Sequence, residues 1–408
     1  ALGIAGIAIV FPLGLFFMAL SVIIGIGSNA LFSIYLGKKD TETAKKIFGN
    51  AVLSLTIISS LSVFIVWLFV EPILIALGAT PEILPYAKDY TLPLLVGYFF
   101  ANISLGLNNF IRSSGHPKTA MATQIISAVI NIITAPIFIF GMHLGMKGAS
   151  LAVICGQIFS SAWIFAFFLN KNTTYRLELK YLNLDWQIFV SSIKIGFSQF
   201  IFQIANTLLN IILNHSLVKY GGNLAVSALG IVIATNTIVI MPVIGLSQGA
   251  QPLIGYNYGA KKYKTSIQTL KMAIRWGMVI TTIGFIFMQL FSKQVVWIFN
   301  STDKDLIEMS SRALRYFNIM LPFVPFQILA TSFFQAINKP FRAALLSLSR
   351  QVLLLIPAVL ILPLFFGLNG VFFATPTADL LSICISMYML KKYFNKHQQN
   401  FFFSKKFK

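Results

Sequence analysis

Eleven stretches of this chain run for about 20 residues or more with almost no charge, the length needed to cross a bilayer as a helix. They are roughly 3–36, 47–70, 91–111, 119–141, 145–169, 187–218, 224–258, 267–291, 313–337, 343–366 and 369–390. Charged residues make up 10% of the 408, against about a quarter in a soluble domain. None of the runs alternates apolar and polar residues as an outer-membrane strand does. The expected fold is therefore an all-α integral membrane protein.

The formal charge of +20 would suggest nucleic acid in a soluble chain, but here its placement speaks for topology. Alternate loops hold Lys38, Lys39, Lys45 and Lys46; Arg112 and Lys118; Lys171, Arg176 and Lys180; Lys261, Lys262 and Lys264; Lys339 and Arg342; and the tail from Lys391. The opposite loops hold Glu71, Glu82, Asp89, Asp303, Asp305 and Glu308. The positive-inside rule puts the basic set, including the C-terminus, in the cytoplasm of an inner-membrane protein. The basic-aromatic tail at 391–408 suits either a topological stop or an anchor on anionic lipid. The expected partners are the bilayer and small molecules, with no nucleic acid, and the expected state is a monomer. Cys155 and Cys384 sit in apolar runs with no metal-ligand spacing, so no metal or cofactor is expected.

The segment 25–39, GIGSNALFSIYLGKK, aligns with 247–261, SQGAQPLIGYNYGAK, at an offset of 222 residues. Gly27 meets Gly249, Asn29 meets Gln251, Gly37 meets Gly259 and Lys39 meets Lys261. Within one residue of that offset, Pro117 pairs with Pro340, Gly148 with Gly370, and Gln157 with Asp379. Such recurrence reads as an internal duplication. An offset of six spans makes the two copies parallel, two six-helix bundles. The lobes are 1–170 and 187–408, joined by a cytoplasmic loop at 171–186. The span 187–218 has no counterpart in the first copy, so the sequence is expected to lack a twelfth helix at its start.

With these residues assembled, the chain resembles the multidrug and toxic compound extrusion (MATE) family, in its bacterial multidrug-exporter branch. The resemblance is carried by GLSQGAQPLIGYNYGAKKY at 245–263, its echo at 25–46, NNFIRSSGHPKTAM at 108–121, SLSRQVLLLIPAVLILP at 347–363 and GVFFATPTADLLS at 370–382. It implies two bundles around a central cleft and alternating access. It also implies export of amphipathic organic cations by antiport with H⁺ or Na⁺. The family's acidic residue in the first helix has no matching position here.

The residues themselves narrow where such work is done. No phosphate loop of the GxxxxGK[ST] type occurs. Asp379 is the one acid deep within an apolar run; a charge there should face the protein interior and serve a purpose. It is the ion-coupling candidate. Pro376, one turn earlier, frees the carbonyl of Phe372 from its helical bond. The alternative for Asp379 is a structural carboxyl bonded to the helix that carries Arg350. Gln199, Gln203, Asn206 and Asn210 recur at helical spacing on one face and are cavity-lining candidates, with Gln157, Asn102, Asn109 and Gln251. Arg112 and Arg350 are candidates for structural or gating roles, as are Pro376 and the glycines Gly249 and Gly259, expected to permit close helix contact or a strained exit from the membrane.

Two rival functions are separable from the sequence. A lipid-linked saccharide flippase of similar architecture would place several basic residues in the cavity for pyrophosphate, where amides prevail here. An enzyme within the membrane would need paired acids or a His/Asp cluster inside the runs, and only Asp379 qualifies, so no enzymatic activity is expected.

Overall fold

The computed structural model describes residues 2–170, 173, 175–301 and 303–396. Among them the structure is helical throughout, with turns between helices and no strand. Contacts group the chain into two compact units, 1–200 and 201–408.

In the first unit, α1 (Leu2–Gly37), α2 (Thr41–Leu68), the short α3 (Val70–Ala76), α4 (Leu84–Ser113), α5 (Pro117–Pro136) and α6 (Gly145–Leu169) succeed one another. Helix α7 (Trp186–Gly259) begins here and continues into the second unit. The core is aromatic: Phe32, Phe48, Phe110 and Phe168 are buried together, with the Phe48 and Phe168 ring centroids 4.4 Å apart. Outside it, Phe64, Trp67, Ile132 and Phe140 are exposed, as hydrocarbon-facing side chains should be.

Helix α7 departs from helical geometry at Gly222, where φ is 65° and ψ −166°. That break separates the expected spans 187–218 and 224–258. The second unit then carries α8 (Tyr263–Leu290), α9 (Ser292–Phe299), α10 (Lys304–Phe317), α11 (Val324–Ala336), α12 (Pro340–Leu348) and α13 (Ile356–Lys396). Helix α13 breaks at Gly367, φ 56° and ψ −136°. A π-helical stretch, Ser349–Leu355, joins α12 to α13. It runs up to Pro357, which has no N–H for a helical bond; widening of the turn is one way a helix absorbs such a loss. The other π stretch, Ile137–Gly141, directly follows Pro136.

By length and composition nine described helices can cross a membrane, or ten if the bent pair Lys304–Phe317 and Leu321–Ala336 forms one span. The 56-residue stretch Pro340–Asn395 counts once in that tally, yet Gly367 divides it between the expected runs 343–366 and 369–390. Ten of the eleven expected runs thus lie mainly on helical segments, while 313–337 falls across the 44° bend between α10 and α11.

Helix ends recur at the offset read from the sequence. Helices α1 and α7 end at Gly37 and Gly259, and α2 and α8 span 41–68 and 263–290. Lys39 and Lys261 take left-handed φ values of 61° and 59°. Behind them Asp40 N–H donates to Tyr35 O at 3.1 Å and Lys262 N–H to Asn257 O at 2.8 Å, the six-to-one closure of a helix C-terminus. Gly115 and Asn338, and Gly145 and Gly367, are also left-handed.

The linker expected at 171–186 belongs to the first unit, and so does the beginning of α7. Gly27 and Gly196 explain why. A Cβ on Gly27 would strike the Ser192 carbonyl, and one on Gly196 the Ile23 carbonyl, so α1 and α7 pack backbone to backbone. The linker itself lies along α2: Tyr181 Oη donates to Glu42 Oε2 at 2.7 Å, Lys45 Nζ to Glu178 Oε1 at 2.7 Å, and Asn50 Nδ2 to Asp185 O at 2.9 Å.

Candidate functional site

Asp379 is 4% exposed and is the one buried acid among the eleven of the chain. It lies on α13 beyond the Gly367 break, three residues after Pro376, itself buried. Arg350, on the π-helical stretch, donates from Nε to Asp379 Oδ1 at 2.6 Å. A carboxylate in this setting needs a compensating charge, and the guanidinium supplies it. The alternative raised for Asp379, a carboxyl bonded to the helix that carries Arg350, names the contact that the structure shows.

Thr375, Asp379, Ser382 and Ser386 share one buried face of α13, at spacings of four, three and four. Ser386 Oγ donates to Ser382 O at 2.8 Å. Among the described residues, Thr375 Oγ1 and Ser382 Oγ, one turn before and after the acid, have no hydrogen-bond partner, and neither does Oε1 of the buried Gln351, next to Arg350 in sequence. The sequence reading singled out none of these three. The period was legible, but serine and threonine within an apolar helix ordinarily bond back to their own helix, as Ser386 and Thr377 do here. Only the structure shows which hydroxyls do not.

The amide stripe on α7 is partly described. The side chain of Gln199 lies outside the described residues. Gln203, Asn206 and Asn210 are half-buried, and Asn210 Nδ2 turns back to the Asn206 carbonyl at 2.8 Å. Gln157, half-buried on α6, is not brought to any of the other candidates by a described bond. Gln251 is 6% exposed, and among the described residues its Nε2 has no partner, nor has Nδ2 of the buried Asn102.

Asn109 and Arg112 belong to a network near the start of α5. Arg112 donates from Nη2 to Asn108 Oδ1 at 2.8 Å and from Nη1 to Asn109 Oδ1 at 3.1 Å. Asn108 Nδ2 in turn donates to Ala120 O at 2.9 Å, tying α4 to α5. Ser113 Oγ donates to Asn29 Oδ1 at 2.6 Å, tying α4 to α1. The arrangement clamps three helix ends.

The glycines divide. Gly259 is buried at the last residue of α7. Gly249 is exposed, and a Cβ there would meet nothing within 4 Å among the described residues. Close helix contact is made instead at glycines such as Gly27, Gly196 and Gly25, and none is made at Gly249 by the described residues. Among the described residues no three of His, Cys, Asp and Glu gather as a metal site.

The MatE family profile matches residues 1–137 and 195–361. Curated relatives include the multidrug export protein MepA of Staphylococcus saprophyticus, 27% identical over 96% of this chain and 85% of its own length. The MepA of Staphylococcus aureus strain MSSA476 is 28% identical over the same shares. Among solved structures, the MATE multidrug transporter DinF-BH in complex with R6G is 32% identical, with a TM-score of 0.88 over 98% of this chain and 89% of that one. A MATE in complex with MaL6 has the same fold, with a TM-score of 0.93 over 98% and 90% at 20% identity. Along both halves of the sequence, then, and in its multi-pass helical fold, this chain belongs to the MATE family.

Proposed function

We propose that the protein exports amphipathic organic cations across the inner membrane, with its C-terminus cytoplasmic. Inward antiport of H⁺ or Na⁺ drives the export, and access alternates between two six-helix lobes. The observation that carries this reading is the family match over both halves of the chain, with relatives named as multidrug export proteins along 96% of its length. A relative of similar fold was solved with R6G bound. The recurrence of helix ends at one offset supports two copies of one unit. The flippase alternative gains no comparable support, since these relatives carry the names of drug exporters. Transport of this kind breaks no covalent bond, so no enzymatic role is assigned.

Asp379 is the coupling group in this reading. A carboxyl that binds a cation on one side and releases it on the other must be shielded from lipid and compensated when empty. Its burial and its pairing with Arg350 are consistent with that duty.

The test is ethidium efflux from energised cells expressing the full-length protein or its Asp379→Asn variant, with and without a protonophore, in sodium and in sodium-free medium. Efflux by the wild type that collapses with the driving gradient and is lost in Asp379→Asn supports the whole reading. Efflux that survives the substitution moves coupling away from Asp379. A correctly inserted wild type that moves no ethidium overturns drug export.

A further inference from the structure

Arg350 and Asp379 form a closed ion pair, yet among the described residues three buried oxygens close to them in the chain have no partner. Thr375 Oγ1 and Ser382 Oγ flank the acid on its own helical face, and Gln351 Oε1 follows Arg350 in sequence. A buried acceptor without a donor is costly, and native structures hold few of them. Arginine has five N–H donors and retains its charge throughout. Among the described residues, one bond of Arg350 is seen, from Nε to Asp379. Arg350 thus has further donors, and the residues next to it in sequence and one turn either side of Asp379 carry oxygens without a described partner. Arg350 also keeps 20% of its side chain exposed, while Asp379 keeps 5%. The arginine has room to shift and the carboxylate does not.

Its backbone differs as well. Arg350 stands on the π-helical stretch, not on a regular turn, and such irregular turns are frequent where a helix changes register in function. Other charged groups on elements packed against α13 are engaged elsewhere. Arg312 pairs with Glu308, Arg315 Nε donates to Ser292 Oγ at 2.9 Å, and Arg342 lies over the rings of Phe334 and Tyr393. Asp305 and Lys304 are exposed at the start of α10. Nothing described on these elements besides Arg350 compensates Asp379.

We propose that Arg350 is a tethered counter-cation that competes with the coupling ion for Asp379. In the state seen here the guanidinium occupies the carboxylate. When H⁺ or Na⁺ loads Asp379, the guanidinium moves to Gln351, Thr375 and Ser382, the acceptors left open in the present state. In both arrangements the carboxylate is compensated, by the guanidinium or by the ion; the loaded state carries one net positive charge, on a guanidinium bonded to neutral oxygens. Ion loading is thereby linked to a rearrangement of the α12–α13 connection, a two-position element of the kind that couples binding to conformational change. The ligand class is a small monovalent cation. Arg350 is a positioning residue, acting through Asp379. The proposal rests on Asp379 as the coupling group.

The test uses the full-length protein in lipid nanodiscs, with ethidium binding followed by fluorescence anisotropy. Sodium is titrated at fixed pH and pH at fixed sodium; the arm that displaces ethidium identifies the ion. In Arg350→Met, which removes the competing cation, the ion activity needed for half-displacement falls at least tenfold, because the ion no longer displaces a guanidinium. Arg350→Lys keeps a competing charge and stays within about threefold of the wild type. Thr375→Val with Ser382→Ala, which removes acceptors of the loaded state, raises the required ion activity severalfold. An Arg350→Met protein that binds ethidium normally but shows an unchanged ion requirement overturns the proposal, as does a Lys variant that shifts as far as Met. If no ion displaces ethidium from the wild type, or if Asp379→Asn responds to the ion like the wild type, the reading of Asp379 as coupling group fails and this proposal falls with it. An Arg350→Met protein that has lost ethidium binding is assayed as Arg350→Met with Asp379→Asn. Restored binding without ion response supports the competition, and binding that stays lost in this charge-matched pair makes Arg350 a structural residue and overturns it.

Discussion

Arg350 Nε lies 2.6 Å from Asp379 Oδ1, which closes an ion pair between a π-helical turn and the helix after Gly367. Removing one partner of a buried pair strands the other charge, a loss of about 3–5 kcal/mol. Removing both leaves no charge to strand. Arg350→Met is therefore expected to lower unfolding stability in detergent by about 3 kcal/mol or more, and Arg350→Met with Asp379→Leu to recover most of it. Chemical denaturation of the three proteins measures this, and equal losses in the single and double variants would contradict it.

Gly27 and Gly249, which align at the offset of 222 residues, should respond oppositely to one methyl group. At Gly27 the new Cβ meets the Ser192 carbonyl, and overpacking of that kind costs about 1–3 kcal/mol. At Gly249 it meets nothing within 4 Å among the described residues, and alanine is better than glycine within a helix by about 0.5–1 kcal/mol. Thermal melting of Gly27→Ala and Gly249→Ala in the same detergent should show a lower transition for the first and an unchanged or higher one for the second.

Asp40 caps α2, accepting from the Thr43 N–H at 3.0 Å. That backbone bond, with the Thr43 hydroxyl next and Lys38 and Lys46 further off, holds its carboxyl below the ordinary value of 3.8. A lowered folded value means a contribution fully present above the unfolded value and lost as pH falls through the folded one. Asp40→Asn, which can still cap, should stay near the wild type at neutral pH, while Asp40→Ala weakens the helix start. In a stability profile from pH 6 downward, the wild type should lose its advantage over Asp40→Ala only in the acid range, below about pH 4.

Tyr181 donates to Glu42 and holds the linker against α2. That hydrogen bond, followed by burial, pushes the phenol up to about 12 from 10.0. A raised folded value gives a contribution fully present below the unfolded value and lost as pH rises through the folded one. Spectrophotometric titration should show a tyrosinate step near pH 12 that is absent in Tyr181→Phe. At neutral pH the Phe variant should be cut faster by protease within 173–185, since it keeps the ring but not the bond. Equal cleavage rates would mean that Lys45–Glu178 and Asn50 hold the linker unaided.

The helices were legible because hydrocarbon imposes one demand, that each backbone N–H and C=O be satisfied within its own segment. A run of apolar residues then declares a helix without reference to any partner, and Gly222 and Gly367, where two helices break, are marked by residue type. The linker was harder. Residues 171–186 read as a polar loop, yet Glu42, Lys45 and Asn50, more than 100 residues earlier, hold it to α2.

Most of the spans, the offset of 222 that helix ends share, the family resemblance and the singular position of Asp379 are readable along the chain, since all of these follow from local composition or from comparison of one stretch with another. Only the tertiary structure decided that Arg350 answers Asp379, that Thr375, Ser382 and Gln351 keep unpartnered oxygens, and that Gly27 but not Gly249 touches a neighbouring backbone. The reason is physical: a helix fixes which face a residue lies on, but the partner on that face comes from another helix, and its approach is set by packing summed over many side chains.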